Sequence, residues 1–145
     1  MNRRIVVALA IHLVGAALAG APAHTAIAQG AVHPAALTTP IGTWRGTSSC
    51  LVRPSGCHDE IVVYRITPMK AADSLSIDAF RIVRGEELDM GVLGCRLLPP
   101  SGQITCSIPQ GVWRFTVRGN SLTGELRLPD NTRFRDVRAI RARGP

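Results

Sequence analysis

Between Ile41 and Arg141, apolar and polar residues alternate in short runs separated by turn residues roughly every ten positions. Alternation of this kind sends successive side chains to opposite faces of a strand, so one face can be buried while the other meets water. The clearest run sets Trp113, Phe115 and Val117 against Arg114, Thr116 and Arg118. The next places Leu122, Gly124, Leu126 and Leu128 inward and Thr123, Glu125 and Arg127 outward. Leu75, Ile77, Ala79 and Arg81 share a face earlier in the chain, and Ile61-Val62-Val63-Tyr64-Arg65-Ile66 is rich in the β-branched residues that suit a pleated surface. No helical period emerges.

Eight strands follow from this pattern, at about 42–51, 58–67, 74–83, 87–98, 103–108, 112–118, 121–128 and 132–141. The turns between them are Arg53-Pro54-Ser55-Gly56, the connector Pro68–Asp73, Arg84-Gly85, Pro99-Pro100-Ser101-Gly102, Pro109-Gln110-Gly111, Gly119-Asn120 and Pro129-Asp130-Asn131. Gly91 and Gly94 suggest a bulge or bend in the fourth strand. Consecutive strands joined by tight turns make an all-β, antiparallel up-and-down meander. Closing it into a small barrel removes the exposed edges, and a β-sandwich is the alternative. With eight strands the interior is either filled by side chains or holds one small ligand.

The first residues belong to a different class. Met1-Asn2-Arg3-Arg4 is a short basic start, Ile5 to Ala21 is apolar, and two Ala-x-Ala sites follow at Ala21–Ala23 and Ala26–Ala28. That order is the grammar of a secretory signal peptide over residues 1–28, with cleavage after Ala28 and Ala23 the second choice. The alternative is an uncleaved anchor, but the apolar run is short for a bilayer span and contains His12. Residues 29–40 read as a flexible lead-in and residues 41–145 as the barrel domain. The expected location is the periplasm or the extracellular medium, without a stable membrane anchor.

Export changes the meaning of the cysteines. Cys50, Cys57, Cys95 and Cys106 form an even set in an oxidising compartment, which reads as a disulfide framework. The favoured pairs are Cys50–Cys57 and Cys95–Cys106, since each brackets one turn. About a turn at Pro100-Ser101, Cys95 and Cys106 stand opposite each other, close enough to bridge. Their spacing matches no zinc knuckle, so no metal is expected.

Gly42-Thr43-Trp44 opens the first strand, and a Gly-x-Trp at that place ahead of a small meander resembles the calycins, the lipocalins and fatty-acid-binding proteins. The resemblance implies that Trp44 closes the barrel floor beneath an arginine from the last strand, Arg138 first and Arg141 second. A nearer likeness is to small secreted bacterial lipocalin-like proteins of uncharacterised function. It rests on Gly42-Thr43-Trp44-Arg45-Gly46-Thr47, Cys57-His58-Asp59-Glu60 and Gly111-Val112-Trp113-Arg114-Phe115-Thr116-Val117. It implies a fold and a compartment. The chain is shorter than the longer lipocalins and lacks a helix after the last strand.

Catalytic constellations are not legible. His58 and Glu60 would share a face on a strand, but a metal site needs a third ligand and His33 lies in the lead-in. A disulfide-bonded Cys57 is no nucleophile for His58 to activate. Glu86, Glu87 and Asp89 read as a solvated turn, no Gly-x-Ser-x-Gly elbow is present, and no phosphate loop occurs. The formal net charge is +7, and Lys70 is the sole lysine among 17 basic residues. Arg133, Arg135, Arg138, Arg141 and Arg143 in the last strand read as an exposed outer face or as a basic stripe for an anionic partner. Few aromatics interleave with the charges, so nucleic acid is not an expected partner. Trp44, Tyr64, Phe80, Trp113, Phe115 and Phe134 fill the core or line a cavity.

The expectation is an exported, monomeric, non-enzymatic binding protein without a cofactor. It would hold a small apolar or amphipathic ligand against Trp113, Phe115 and Leu126, with His58 and Glu60 as further contacts. The alternative is an interaction or inhibitor protein that meets an envelope or secreted protein through the disulfide-pinned turn Arg53–His58.

Overall fold

The computed structural model describes residues 39–143. The expected signal peptide, 1–28, and positions 29–38 of the lead-in lie outside the described residues. The described residues contain no helix and form a closed antiparallel up-and-down barrel. Its strands are β1 (Gly42–Cys50), β2 (Glu60–Pro68), β3 (Ser74–Val83), β4 (Glu86–Leu98), β5 (Gln103–Ile108), β6 (Gly111–Arg118), β7 (Ser121–Arg127) and β8 (Arg133–Arg141). Each pairs with its sequence neighbours, and β8 returns to β1.

The inward faces follow the alternation. Val62, Tyr64 and Ile66 meet Leu75, Ile77 and Ala79 from β3, and Phe115, Val117, Leu122 and Leu126 face them from β6 and β7. The core is a stack of such residues, with Trp44, Ile77, Ile104 and Phe115 fully buried. Large side chains fill the middle of the lumen at this strand number, as expected for so narrow a barrel.

The floor is built around Trp44. Its indole Nε1–H donates to the carbonyl of Pro40 at 2.8 Å. The guanidinium of Arg141 lies 4.2 Å over the ring centroid and donates to the carbonyls of Ile41 and Thr39, both at 2.6 Å. Indole and guanidinium thus hold the entering chain across the end of the barrel. Arg138, the first choice from sequence, is not the residue that does this. Trp44 pairs with Arg141 in the β1–β8 ladder, while Arg138 stands opposite Thr47 and has the other phase. Arg138 therefore lies on the outer surface, beside Thr123 of β7.

Cys50 is bonded to Cys57 and Cys95 to Cys106, the pairs that the turns favoured. Both sulfurs of the second bridge lie in the core cluster. The first bridge ties down the loop between β1 and β2. There Cys50 N–H donates to Asp59 Oδ1 at 2.8 Å, and Arg53 pairs with the same oxygen at 3.0 Å.

Two irregularities set the geometry of the open end. Between β3 and β4 the register shifts at Ala79/Phe80, which pair with Gly91 and Asp89 and leave Met90 without an opposite residue. Gly91 sits at φ +99°, a conformation open to glycine, and its N–H bonds Asp89 Oδ1 at 2.7 Å. The second is the seam between β4 and β5. Among the described residues these strands pair only at Arg96–Thr105, Leu97–Ile104 and Leu98–Gln103.

Candidate functional site

Opposite the Trp44 floor, the barrel opens into a cavity of about 330 Å³. Its two sides differ in chemistry because different strands supply them. Met90, Leu93, Ile108, Trp113 and Leu126, from β4 to β7, form an apolar wall. Ser48, Glu60, Tyr64 and Arg135, from β1, β2 and β8, form a polar one. The base is aromatic. Trp113 stacks on Phe115 at 5.3 Å between centroids, and Tyr64 meets Phe115 edge-on at 5.6 Å.

The polar wall is organised by Arg135. Its side chain is 14% exposed, and every partner is an oxygen acceptor. Nη1 donates to Glu60 Oε2 and to Ser48 Oγ, each at 2.9 Å, and Nη2 donates to the His58 carbonyl at 2.9 Å. Arg81 faces the other oxygen of Glu60 at 3.6 Å. One carboxylate thus lies between two guanidinium groups: Arg135 balances Glu60 within the wall, and the half-exposed Arg81 stands outside the cavity lining. Removing Arg135 would leave Glu60 to Arg81 alone and take a donor from the buried Ser48 hydroxyl, a cost because buried polar groups lose most when a partner goes.

Burial pushes the Tyr64 hydroxyl well above its ordinary value of 10.0; Arg135 pulls the other way, Glu60 adds to the rise, and Ser48 opposes it. Because Tyr64 is the chain's one tyrosine, and indole does not ionise in this range, the phenolate band in the near ultraviolet reports its ionisation alone. The folded protein is expected to stay spectroscopically silent as pH passes 10, and the phenolate signal should appear only with unfolding. The sign for stability follows. Below about pH 10 both states hold the proton and the contribution is whole. Above it the unfolded chain releases its proton first, so stability falls as pH rises towards the folded value. A reversible phenolate signal near pH 10 in the folded protein would contradict this placement.

The expected contact residues separate into three groups. Trp113, Leu126 and Glu60 line the cavity. Phe115 does not: it is 1% exposed, lies beneath Trp113 and fills the lumen. His58 does not line the cavity either. The strand begins at Glu60, so His58 lies in the loop before it with an exposed side chain, and it contributes to the polar wall only through its carbonyl. Ser48 and Met90 also line the cavity and carry no signal in the sequence, whereas Tyr64 is one of the aromatics expected in the core or a cavity wall and Arg135 one of the arginines of the last strand. The alternation of Val137 and Ala139 carries the inward phase of Arg135, whereas Met90 reaches the cavity through a bulge that no periodicity announces.

The arginines of the last strand do not make one stripe. Arg135 and Arg141 belong to the inward phase, with Val137 and Ala139, while Arg133 and Arg138 lie outside. On that outer face Glu125 gathers Arg127 at 2.8 Å, Arg133 at 3.4 Å and Arg114 at 3.8 Å. The hydrogen bond from Arg127 holds its carboxyl below the usual range. No protein-family model, curated protein or solved structure matches the chain.

Proposed function

We propose that this chain is an exported, non-enzymatic binding protein of the lipocalin-like kind, and that it takes one small amphipathic molecule into the mouth of its barrel. The observation that carries the reading is the two-sided cavity of about 330 Å³, apolar on Trp113, Leu126 and Met90 and polar on Arg135, Glu60 and Ser48. Its size is at the small end of ligand pockets, which span about 300–1,000 Å³. A flat molecule with one apolar face and one polar edge suits it. The guanidinium of Arg135 and the hydroxyls of Ser48 and Tyr64 favour an edge rich in acceptor oxygens. The packed core beneath the cavity restricts a ligand to the mouth. Two disulfides agree with an oxidising destination outside the cytoplasm.

A suitable probe is 1-anilinonaphthalene-8-sulfonate, which joins an apolar aromatic body to a single sulfonate. One molecule per chain should bind saturably and quench Trp113. Leu126→Trp, which fills the cavity, should weaken binding by about tenfold or more, the loss of roughly 1.4 kcal/mol. Native mass spectrometry of the protein from its own compartment should then show an adduct. Binding that is absent, or unchanged in Leu126→Trp, would remove the proposal.

The loop Arg53–His58 supports a second reading, as a contact for an envelope or secreted protein. Beyond the Cys50–Cys57 bridge, Ser55 Oγ donates to the Val52 carbonyl at 2.7 Å. A loop braced in this way loses little entropy on docking.

A further inference from the structure

The shortest seam of the barrel leaves part of a strand unpartnered. In the register of Arg96–Thr105, the last residue of β5, Ile108, stands level with Leu93. The chain then turns away at Pro109-Gln110, so the first half of β4, Glu86–Val92, overhangs the end of β5. Its other edge is fully engaged, since β3 pairs with it from Val83–Glu86 to Ala79–Gly91. The overhang is therefore a strand already held extended, with one row of backbone donors and acceptors facing no strand among the described residues. Such an edge is a template for another strand.

Three further observations describe what it would accept. Every residue of Glu86–Val92 is exposed, including Leu88 at 40%, Met90 at 41% and Val92 at 66%. The segment carries Glu86, Glu87 and Asp89 and no basic residue. Glu87 leans across to Arg65 at 2.7 Å and is matched there, and Asp89 accepts from the Gly91 amide, which leaves Glu86 and Asp89 as carboxylates with no basic partner among the described residues. A second copy of this chain pairing there would set carboxylates against carboxylates. Finally, the bulge at Met90 brings that side chain to the cavity wall, so an added strand would pass beside Leu93, Ile108 and Trp113.

We propose that the free edge of β4 receives an extended, basic segment of a partner protein as an added strand. Main-chain hydrogen bonds to Glu86–Val92 would supply affinity. An inward apolar side chain seated between Met90 and Ile108 would supply specificity, as in other cases of strand addition. This goes beyond the ligand reading and does not depend on it, because the edge exists whether or not the cavity holds a small molecule. The rival explanation is that the charges and the bulge merely protect the edge from association.

The test uses the protein isolated from its own compartment with its disulfides intact. The probe is an acetylated nonapeptide alternating arginine with valine and leucine. Its controls are the same peptide with glutamate for arginine, and the same peptide N-methylated at every second amide. Amide hydrogen exchange should slow across residues 86–92 with the arginine peptide. Both controls should bind at least about tenfold more weakly. Leu88→Arg, at an exposed position, should weaken the arginine peptide to a similar extent without changing the melting temperature. The proposal is overturned if none of the peptides binds, if the arginine and glutamate peptides bind alike, or if N-methylation has no effect. Protection outside β4 would overturn it as well. Retained probe binding at Trp113 in Leu88→Arg would show that the ligand reading stands or falls separately.

Discussion

Replacing Trp44 by alanine is expected to lower the free energy of unfolding by about 3–5 kcal/mol, the usual cost of truncating a buried tryptophan. Trp44 is fully buried and is a keystone of the floor: its ring carries Arg141, and its indole N–H holds the Pro40 carbonyl. Against a typical domain stability of about 5–15 kcal/mol, the loss is a large share of the total. Two companion variants separate the floor contact from mere charge. Arg141→Ala should cost about 1–2 kcal/mol, because it removes a cation–π contact and frees the carbonyls of Thr39 and Ile41. Arg138→Ala, outside the barrel, should stay within about 0.5 kcal/mol of the parent. Urea unfolding with an unchanged slope would rank the three. Equal losses for Arg138→Ala and Arg141→Ala would mean that the floor is held otherwise.

That comparison also marks where the sequence becomes ambiguous. A strand is legible when its two faces differ in kind. Trp113, Phe115 and Val117 against Arg114, Thr116 and Arg118 leave no doubt about phase, and β6 has the expected inward face. The last strand places arginines in both phases: Arg135 and Arg141 in one, Arg138 in the other. Hydropathy alone could not choose between them, although Val137 and Ala139 share the phase of Arg135 and Arg141. The register shift at Leu126/Arg127, just before β8, further loosens any count from the preceding turn. Disulfides were legible for a different reason. Cys95 and Cys106 are equidistant from a strong turn, so antiparallel pairing alone brings them together. The cavity was half legible. Trp113 and Leu126 follow from alternation, but an arginine beside a carboxylate reads locally as surface charge, and the Glu60 that meets Arg135 lies far away in the chain and comes within reach only when the barrel closes. Phe115 differs from Trp113 by one layer of depth, which depends on how the barrel narrows rather than on its pattern.

The two disulfides should not be worth the same, although chain entropy alone makes them nearly so. Their sequence separations are 7 and 11, and loop-closure entropy grows so slowly that the longer one gains only about 0.4 kcal/mol. Position separates them. Cys50–Cys57 restrains a loop that is already braced by Asp59, Arg53 and Ser55, with exposed residues between its ends. Cys95–Cys106 sits inside the core cluster, at the end of the seam where β4 and β5 share their shortest ladder. Converting Cys95 and Cys106 together to alanine removes a crosslink, empties part of the core and leaves the seam to three pairs. The expected loss is about 4–5 kcal/mol, the upper end for removal of a native disulfide. Converting Cys50 and Cys57 together should cost about 2 kcal/mol, the lower end. Amide exchange should show the difference as a pattern as well as a size. Without Cys95–Cys106 the amides of β4 and β5 should open first, because that ladder is the shortest in the barrel. Equal losses for the two double variants, or uniform exchange around the barrel, would mean that the β4–β5 seam is held by its neighbours and not by its sulfur bridge.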